Sequence, residues 1–242
     1  MSLSLTGLKK SYGALAVTSN VSVEVKAGEA VGIIGPNGAG KSTLFNLITG
    51  DVPVDSGTIS FSGRSIEHLP PHQRAAAGIG RSYQIPLPFD GMTVLENLLV
   101  GAQFAGRQRV SHPRAFCLEI LETCGLARKA NLAAGTLTLL ERKRLELARA
   151  LATKPSLLLL DEIAGGLTDP EAALLVETVR GIHQGGITII WIEHVLHALI
   201  PAIERLVVLS FGKIIADGDP REVMALPAVR EIYLGIEEDL PA

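Results

Sequence analysis

The chain has 242 residues, of which 47% are hydrophobic, with a mean hydropathy of +0.33 and a formal net charge of −3. That is ample for a buried core, yet no stretch approaches the roughly 18 uninterrupted apolar residues of a membrane span. The interspersed charges give no support for nucleic-acid binding, and the N-terminus lacks the basic and apolar regions of a secretion signal.

The first residues alternate apolar with polar. Leu3-Ser4-Leu5, Val21-Ser22-Val23-Glu24-Val25 and Thr58-Ile59-Ser60-Phe61 predict antiparallel strands with one solvated face. Tyr12, in a turn within Lys10-Ser11-Tyr12-Gly13, is a candidate for stacking on a base, since only 4% of the chain is aromatic; alone it is a weak signal.

Residues 35 to 43 read Gly35-Pro36-Asn37-Gly38-Ala39-Gly40-Lys41-Ser42-Thr43. The β-favouring run Val31 to Ile34 precedes this segment, and the helical spacing of Leu44 to Ile48 follows it. Strand, glycine-rich loop and helix form the setting of a phosphate-binding loop. Gly35, Gly38 and Gly40 allow positive φ and close approach of backbone N–H groups to phosphate oxygens. The helix adds the partial positive charge of its N-terminus. Lys41 can reach the β- and γ-phosphates, and the Ser42 hydroxyl can ligate Mg²⁺.

Gln84 ends a short strand in Arg81-Ser82-Tyr83-Gln84. Its amide can ligate Mg²⁺ or a water, although a glutamine is more often a surface residue. The apolar Ile85-Pro86-Leu87-Pro88-Phe89 that follows is either a docking surface or a loop packed on the core. From about 86 to 153 strand patterns give way to helical ones, in Thr93–Gly101, Pro113–Cys124 and Leu139–Thr153. Cys117, Ile120, Leu121 and Cys124 form an apolar stripe on the middle helix, so the cysteines read as core rather than as a disulfide.

Leu157 to Leu160 and Ile187 to Ile192 are uninterrupted apolar runs, expected as strands buried on both faces. The first ends in Asp161-Glu162. Asp161 is placed to hold Mg²⁺ and Glu162 to polarise a water as general base; in isolation such a pair could equally cap a helix. The second run leads into His194, expected to face the γ-phosphate, where a lone histidine otherwise serves as a structural hydrogen-bonder. The tail after Phe211 predicts a strand at Lys213–Ala216 and two short helices from Pro220 and Pro227.

Taken in order, these residues resemble the ATP-binding-cassette family across nearly the whole chain. Tyr12 matches its adenine-stacking aromatic, Gly35 to Thr43 its Walker A loop, and Gln84 its Q-loop. Asp161-Glu162 matches the Walker B pair and His194 the switch histidine. Gly165-Gly166-Leu167-Thr168 falls on the D-loop, with threonine where the family usually has aspartate. The resemblance implies an α/β fold: a three-layer P-loop NTPase core with a mostly parallel sheet, an N-terminal antiparallel β-subdomain and a helical subdomain at about 86–153. All of this would form a single nucleotide-binding domain over 1–242. It further implies ATP hydrolysis with Mg²⁺, a head-to-tail dimer with an identical or homologous ATPase subunit, and coupling to membrane permeases served by a solute-binding protein. The location implied is the cytoplasmic face of the membrane.

Leu44 to Gly50, Gly80 to Gln84, Arg144 to Leu151, Ile192-Glu193-His194 and Tyr233-Leu234-Gly235 look like the ATP-binding subunit of branched-chain amino acid importers. The first two favour the larger of the two homologous ATPase subunits. Urea and short-chain amide importers share much of this pattern and remain an alternative. A non-transport ABC ATPase acting on nucleic acid or ribosomes is a far weaker alternative: such proteins typically carry a long coiled coil between the Walker motifs or two cassettes in one chain, and these 242 residues show neither pattern. The family signature Leu-Ser-Gly-Gly-Gln falls here on Leu137-Thr138-Leu139-Leu140-Glu141. Thr138 keeps the hydroxyl that would face ATP on the partner subunit, but both glycines are leucines, so a weaker contribution in trans is expected.

Overall fold

The computed structural model of the chain describes residues 2–104 and 110–234. Gly235 of the Tyr233-Leu234-Gly235 motif lies outside the described residues, as do the two ends of the 1–242 span.

Two sheets organise the chain. β1 (Leu3–Tyr12), β2 (Leu15–Val25), β4 (Ser56–Phe61) and β5 (Arg64–Ser65) form an antiparallel sheet in the order β2-β1-β4-β5. Its buried and exposed positions alternate along β2, as the sequence pattern predicts. Tyr12 is the last residue of β1, paired with Leu15 across a hairpin, rather than a residue of the turn itself.

The second sheet has the order β10-β9-β3-β8-β7-β6. It comprises β3 (Ala30–Ile34), β6 (Ile79–Ser82), β7 (Leu157–Asp161), β8 (Thr188–Ile192), β9 (Arg205–Ser210) and β10 (Lys213–Gly218). β6, β7, β8, β3 and β9 run parallel, and β10 closes one edge antiparallel to β9. Successive residues of β7 serve opposite faces. Leu157 and Leu159 pack with the antiparallel sheet and α1 (Lys41–Thr49), while Leu158 and Leu160 pack with the helices of the other side. That two-sided burial is why these strands read as unbroken apolar runs. Each buried leucine there contributes on the order of 1.5–3 kcal/mol.

The helical segment contains α3 (Val94–Phe104), α4 (Pro113–Thr123) and α5 (Leu139–Ala152). Cys117, Ile120, Leu121 and Cys124 are buried, and both cysteines are free thiols. Burial pushes their thiols up to about 11 and about 12, so both stay protonated core residues. α5 begins at Thr138, whose side chain accepts from the Glu141 amide while the Glu141 carboxylate accepts from the Thr138 amide. This reciprocal capping box holds the helix start even with leucines in its first turn.

α2 (Pro71–Ala77), α6 (Asp169–Gln184) and β9 go beyond what the sequence patterns above predict. A signal for α6 is nonetheless present: Ala172, Leu175, Val176, Val179 and Ile182 are buried at helical spacing. At the start of this helix the Glu171 carboxylate accepts from the Thr168 amide and hydroxyl at 2.9 and 2.8 Å; the hydroxyl bond is one that an ionised aspartate could not donate. α7 (Leu196–Leu199), α8 (Pro220–Ala225) and α9 (Pro227–Leu234) complete the helices named here, the last two starting at the prolines anticipated.

Candidate functional site

The carboxyl ends of β3, β7 and β8 lie side by side, and that edge of a parallel sheet is where α/β folds place their ligands. β3 runs into the glycine-rich loop, β7 delivers Asp161 and Glu162, and β8 delivers Glu193 and His194. β6, on the far side of β7, leads to Gln84.

Within the loop two glycines act for different reasons. Gly40 has φ +101°, and a Cβ there would stand 2.6 Å from the Val17 carbonyl oxygen. Gly35 does not use the positive φ anticipated for it. Its need is close approach, because a Cβ would fall 2.1 Å from the Leu209 carbonyl oxygen on β9. The Lys41 ammonium donates to the Gly35 and Pro36 carbonyls at 2.7 and 3.1 Å. Burial draws its pKa down, opposed by the charges of Glu162 and Asp161. Ser42 and Thr43 follow in the first turn of α1, with Asn37, Gly38 and Ala39 ahead of them.

Asp161 and Glu162 are both buried. Glu162 has φ +49°, unusual for a residue with a side chain, and its amide donates to the Ile192 carbonyl at 2.8 Å. The Glu162 Oε2 accepts from the Gln84 side-chain amide and lies 2.8 Å from His194 Nε2. Gln84, Glu162 and His194 therefore converge on one carboxylate oxygen. Tyr12 is half exposed on the hairpin that also carries Val17, whose carbonyl meets Gly40. Thr138 is exposed at the start of α5, with Leu139 46% exposed beside it and Leu140 packed against the core.

Ser42, Gln84 and Asp161 offer a hydroxyl, an amide oxygen and a carboxylate oxygen, a donor set suited to a hard cation such as Mg²⁺. Among the described residues no group of three or more His, Cys, Asp or Glu could hold a metal by itself. Mg²⁺ takes one or two protein carboxylates and completes its shell with phosphate oxygens and water.

Three further charged residues belong to the site; Arg81 and Glu193 lie inside the segments Gly80 to Gln84 and Ile192-Glu193-His194, but the resemblance gives neither of them a role, and Lys143 lies outside every motif named above. Arg81 Nη2 donates to Asp161 Oδ2 at 2.7 Å and its Nη1 donates to Asn46 Oδ1 at 2.7 Å, joining β6, β7 and α1. Lys143, on α5, donates to the main-chain carbonyls of Gln84 and Glu162 at 2.9 and 3.3 Å. Glu193 is fully buried, and burial raises its carboxyl to about 8. Its Oε1 accepts from the Ala164 amide at 3.1 Å. The one available signal for Lys143 is periodicity, since it falls on the face of α5 that carries Leu147 and Ala150. A cation on an apolar helix face needs partners.

Next to this site a groove of about 380 Å³ runs between α2, β6 and the helical segment, lined among others by Arg81, Tyr83, Phe89, Glu146 and Arg149. Beside it Ile85, Leu87 and Phe89 are 68, 74 and 45% exposed. The loop is therefore not packed on the core, and the alternative of inward packing is set aside. Among the described residues no helix is long and apolar enough to cross a membrane.

Comparison with known proteins places this geometry among relatives. The family model described as ABC transporter matches residues 18–165. The chain is 37% identical to the high-affinity branched-chain amino acid transport ATP-binding protein LivG of Salmonella typhimurium, over 96% of this chain and 97% of that protein. It is 34% identical to the corresponding protein BraF of Pseudomonas aeruginosa, again covering 96% and 97%. It is also 36% identical to a probable ABC transporter ATP-binding protein of Azorhizobium caulinodans, covering 98% of this chain and 84% of that one. Among solved structures, a nucleotide-free ATP-binding cassette from an ABC transporter aligns with TM-score 0.89 at 33% identity, covering 98% and 99%. The ADP conformation of MJ1267, another such cassette, aligns with TM-score 0.88 at 33% identity, covering 97% and 99%.

Proposed function

The chain belongs to the ABC transporter family as an ATP-binding subunit that hydrolyses ATP, and from that premise we propose that it drives a branched-chain amino acid importer. The convergence of Lys41, Asp161, Glu162, Gln84 and His194 on one sheet edge is the observation that carries the catalytic part of this reading.

In this reading the amides of Gly38 to Thr43 and the Lys41 ammonium bind the ATP phosphates, and Tyr12 stacks on the adenine. Ser42, Gln84 and Asp161 would hold Mg²⁺, which when bound with ATP neutralises phosphate charge. Glu162 accepts a proton from the attacking water, and His194 donates a hydrogen bond to the γ-phosphate. Two subunits sandwich two ATP molecules, each offering the start of α5 at Thr138 to the other's nucleotide. ATP contacts that differ between the closed and open dimer supply the switch. A homologous subunit or a second copy can fill the partner's place.

The exposed Ile85, Leu87 and Phe89, beside the groove, support docking of a permease there. A Leu87→Cys variant crosslinking to a cytoplasmic loop of the permease is the outcome expected; labelling of Leu87→Cys by solvent thiol reagents undiminished by the assembled permease would count against it. For the transported solute, reconstitution with its cognate permeases and solute-binding protein is decisive. ATP-dependent uptake of leucine, isoleucine or valine is expected, whereas uptake of urea or short amides alone would replace the substrate class and leave the ATPase reading intact.

A further inference from the structure

Lys143 is an ammonium in a place where a helix would ordinarily bury an apolar side chain. It sits in the second turn of α5 with only 4% of its surface exposed, and its charge faces Glu193 and Glu162. Its two hydrogen bonds go not to those carboxylates but to main-chain carbonyls on two separate segments. One is the carbonyl of Gln84, just past β6; the other is the carbonyl of Glu162, just past β7. A single group thus ties together the segments that carry two of the side chains meeting at Glu162 Oε2.

The Glu162 backbone needs such a tie. Its φ of +49° is sparsely populated for a residue with a Cβ and persists only when surrounding contacts over-determine it. On the amide side the hydrogen bond to Ile192 fixes it to β8. On the carbonyl side the Gly165 amide donates at 3.3 Å, and Lys143 supplies a charged donor from a different element. A charge-assisted bond in a buried setting is stronger than a neutral one. Turning the Glu162 peptide would swing the carboxylate away from His194 and Gln84.

We propose that Lys143 is a positioning residue for Glu162: it fixes the backbone from which the carboxylate is aimed, and so makes α5 part of the catalytic machinery of its own subunit. This rests on the reading of Glu162 as general base. It has a consequence for the dimer. α5 starts at Thr138, the residue offered to the partner's ATP, and Lys143 lies just over one turn further on. The helix that offers Thr138 to the partner's ATP is thus the same helix that holds Glu162 in its own subunit.

The test is a double-mutant cycle in the full-length chain, comparing Lys143→Met, Glu162→Gln and their combination for turnover, nucleotide affinity and melting temperature. Lys143→Met keeps the aliphatic stem and removes the charge. The expected result is a loss of kcat of about tenfold or more with ATP affinity changed less than about twofold. In the Glu162→Gln background the same substitution should cost less than about twofold, because the group it aims is already gone. Lys143→Arg, which retains a charged donor, should recover most of the loss. Unchanged turnover in Lys143→Met, or an equal fold-loss in both backgrounds, overturns the proposal. If Lys143→Met does not fold, Lys143→Gln replaces it in the cycle with the same two outcomes. A Glu162→Gln variant that turns over at the parental rate would overturn the base assignment itself, whereas slow Glu162→Gln beside normal Lys143→Met would overturn only the role of Lys143.

Discussion

The imidazole Nε2 of His194 lies 2.8 Å from the Glu162 Oε2, and the Gln84 side-chain amide donates to that same oxygen. Residues from three segments, 110 positions apart at the extremes, thus share one acceptor atom. The same atom cannot serve both donors and a water, so catalysis by Glu162 requires either the other oxygen or an exchange of partners when phosphate arrives. His194 and Gln84 would then turn to the nucleotide, leaving the carboxylate free to act.

Replacing the carboxylate by an amide tests this most directly. Glu162→Gln keeps the shape and the hydrogen-bonding partners but removes the basic oxygen. Turnover should fall by about 100-fold or more, the range of general-base contributions, with ATP affinity retained. Phosphate release and nucleotide titration measured on the same preparation distinguish the two effects.

Lys41→Ala should act on binding rather than on the chemical step alone. A charge-assisted hydrogen bond to phosphate is worth about 1.5–3 kcal/mol, which corresponds to roughly 10- to 100-fold in Kd. Isothermal titration with ATP checks it. Retention of parental affinity would show that the loop amides suffice.

Arg81 and Asp161 form an ion pair with side chains 8 and 6% exposed. Removing one member of such a pair leaves an uncompensated buried charge, at a cost of about 3–5 kcal/mol. Arg81→Leu should therefore lower the urea midpoint markedly. Adding Asp161→Asn should restore part of that loss, while leaving ATP hydrolysis impaired.

Glu193 makes the fold sensitive to pH in a defined window. Its carboxyl is raised from the ordinary 4.5 to about 8 by burial. Between these values the folded chain keeps a proton that the unfolded chain has released, so stability falls as pH rises. The contribution is fully present below about 4.5 and is lost as pH rises through about 8. Glu193→Gln has no proton to lose. Its melting temperature should gain on that of the parent by at least about 2 °C between roughly pH 5 and pH 8.5. A difference that stays constant with pH would contradict this.

Leu139 and Leu140 replace the two glycines of the family signature, but the fold separates them. Leu140 packs against the core, whereas Leu139 is exposed beside Gly166. Leu139→Gly is therefore the informative change. It should raise the ATPase rate of the assembled complex by opening the approach to the partner's nucleotide, at under about 1 kcal/mol of helix stability. A steady-state rate that is unchanged or lower would count against a steric role for Leu139.

Motifs contiguous in the chain are legible from residue order, because their chemistry is local. The loop from Gly35 to Thr43 announces itself by its spacing, and β7 and β8 by apolar runs that end in polar residues. Arg81, Lys143 and Glu193 are not legible as a group. Each bonds to residues distant in the chain, and nothing in the local pattern names the partner. Even for Gly35 the motif points to the wrong property, since what this glycine accommodates is a carbonyl on β9, a strand that the sequence patterns do not predict.

By itself, then, the sequence determined the phosphate loop, the acidic pair after β7, the histidine after β8 and the family these imply. Backbone geometry and residue chemistry over a few neighbouring positions are enough for that. The tertiary structure alone decided that Arg81 neutralises Asp161, that Leu87 faces solvent and that Lys143 holds Glu162 from a different element. Those outcomes depend on burial and on which segments the sheet brings together. Charges removed from water must find partners, and only the folded arrangement says which ones they find.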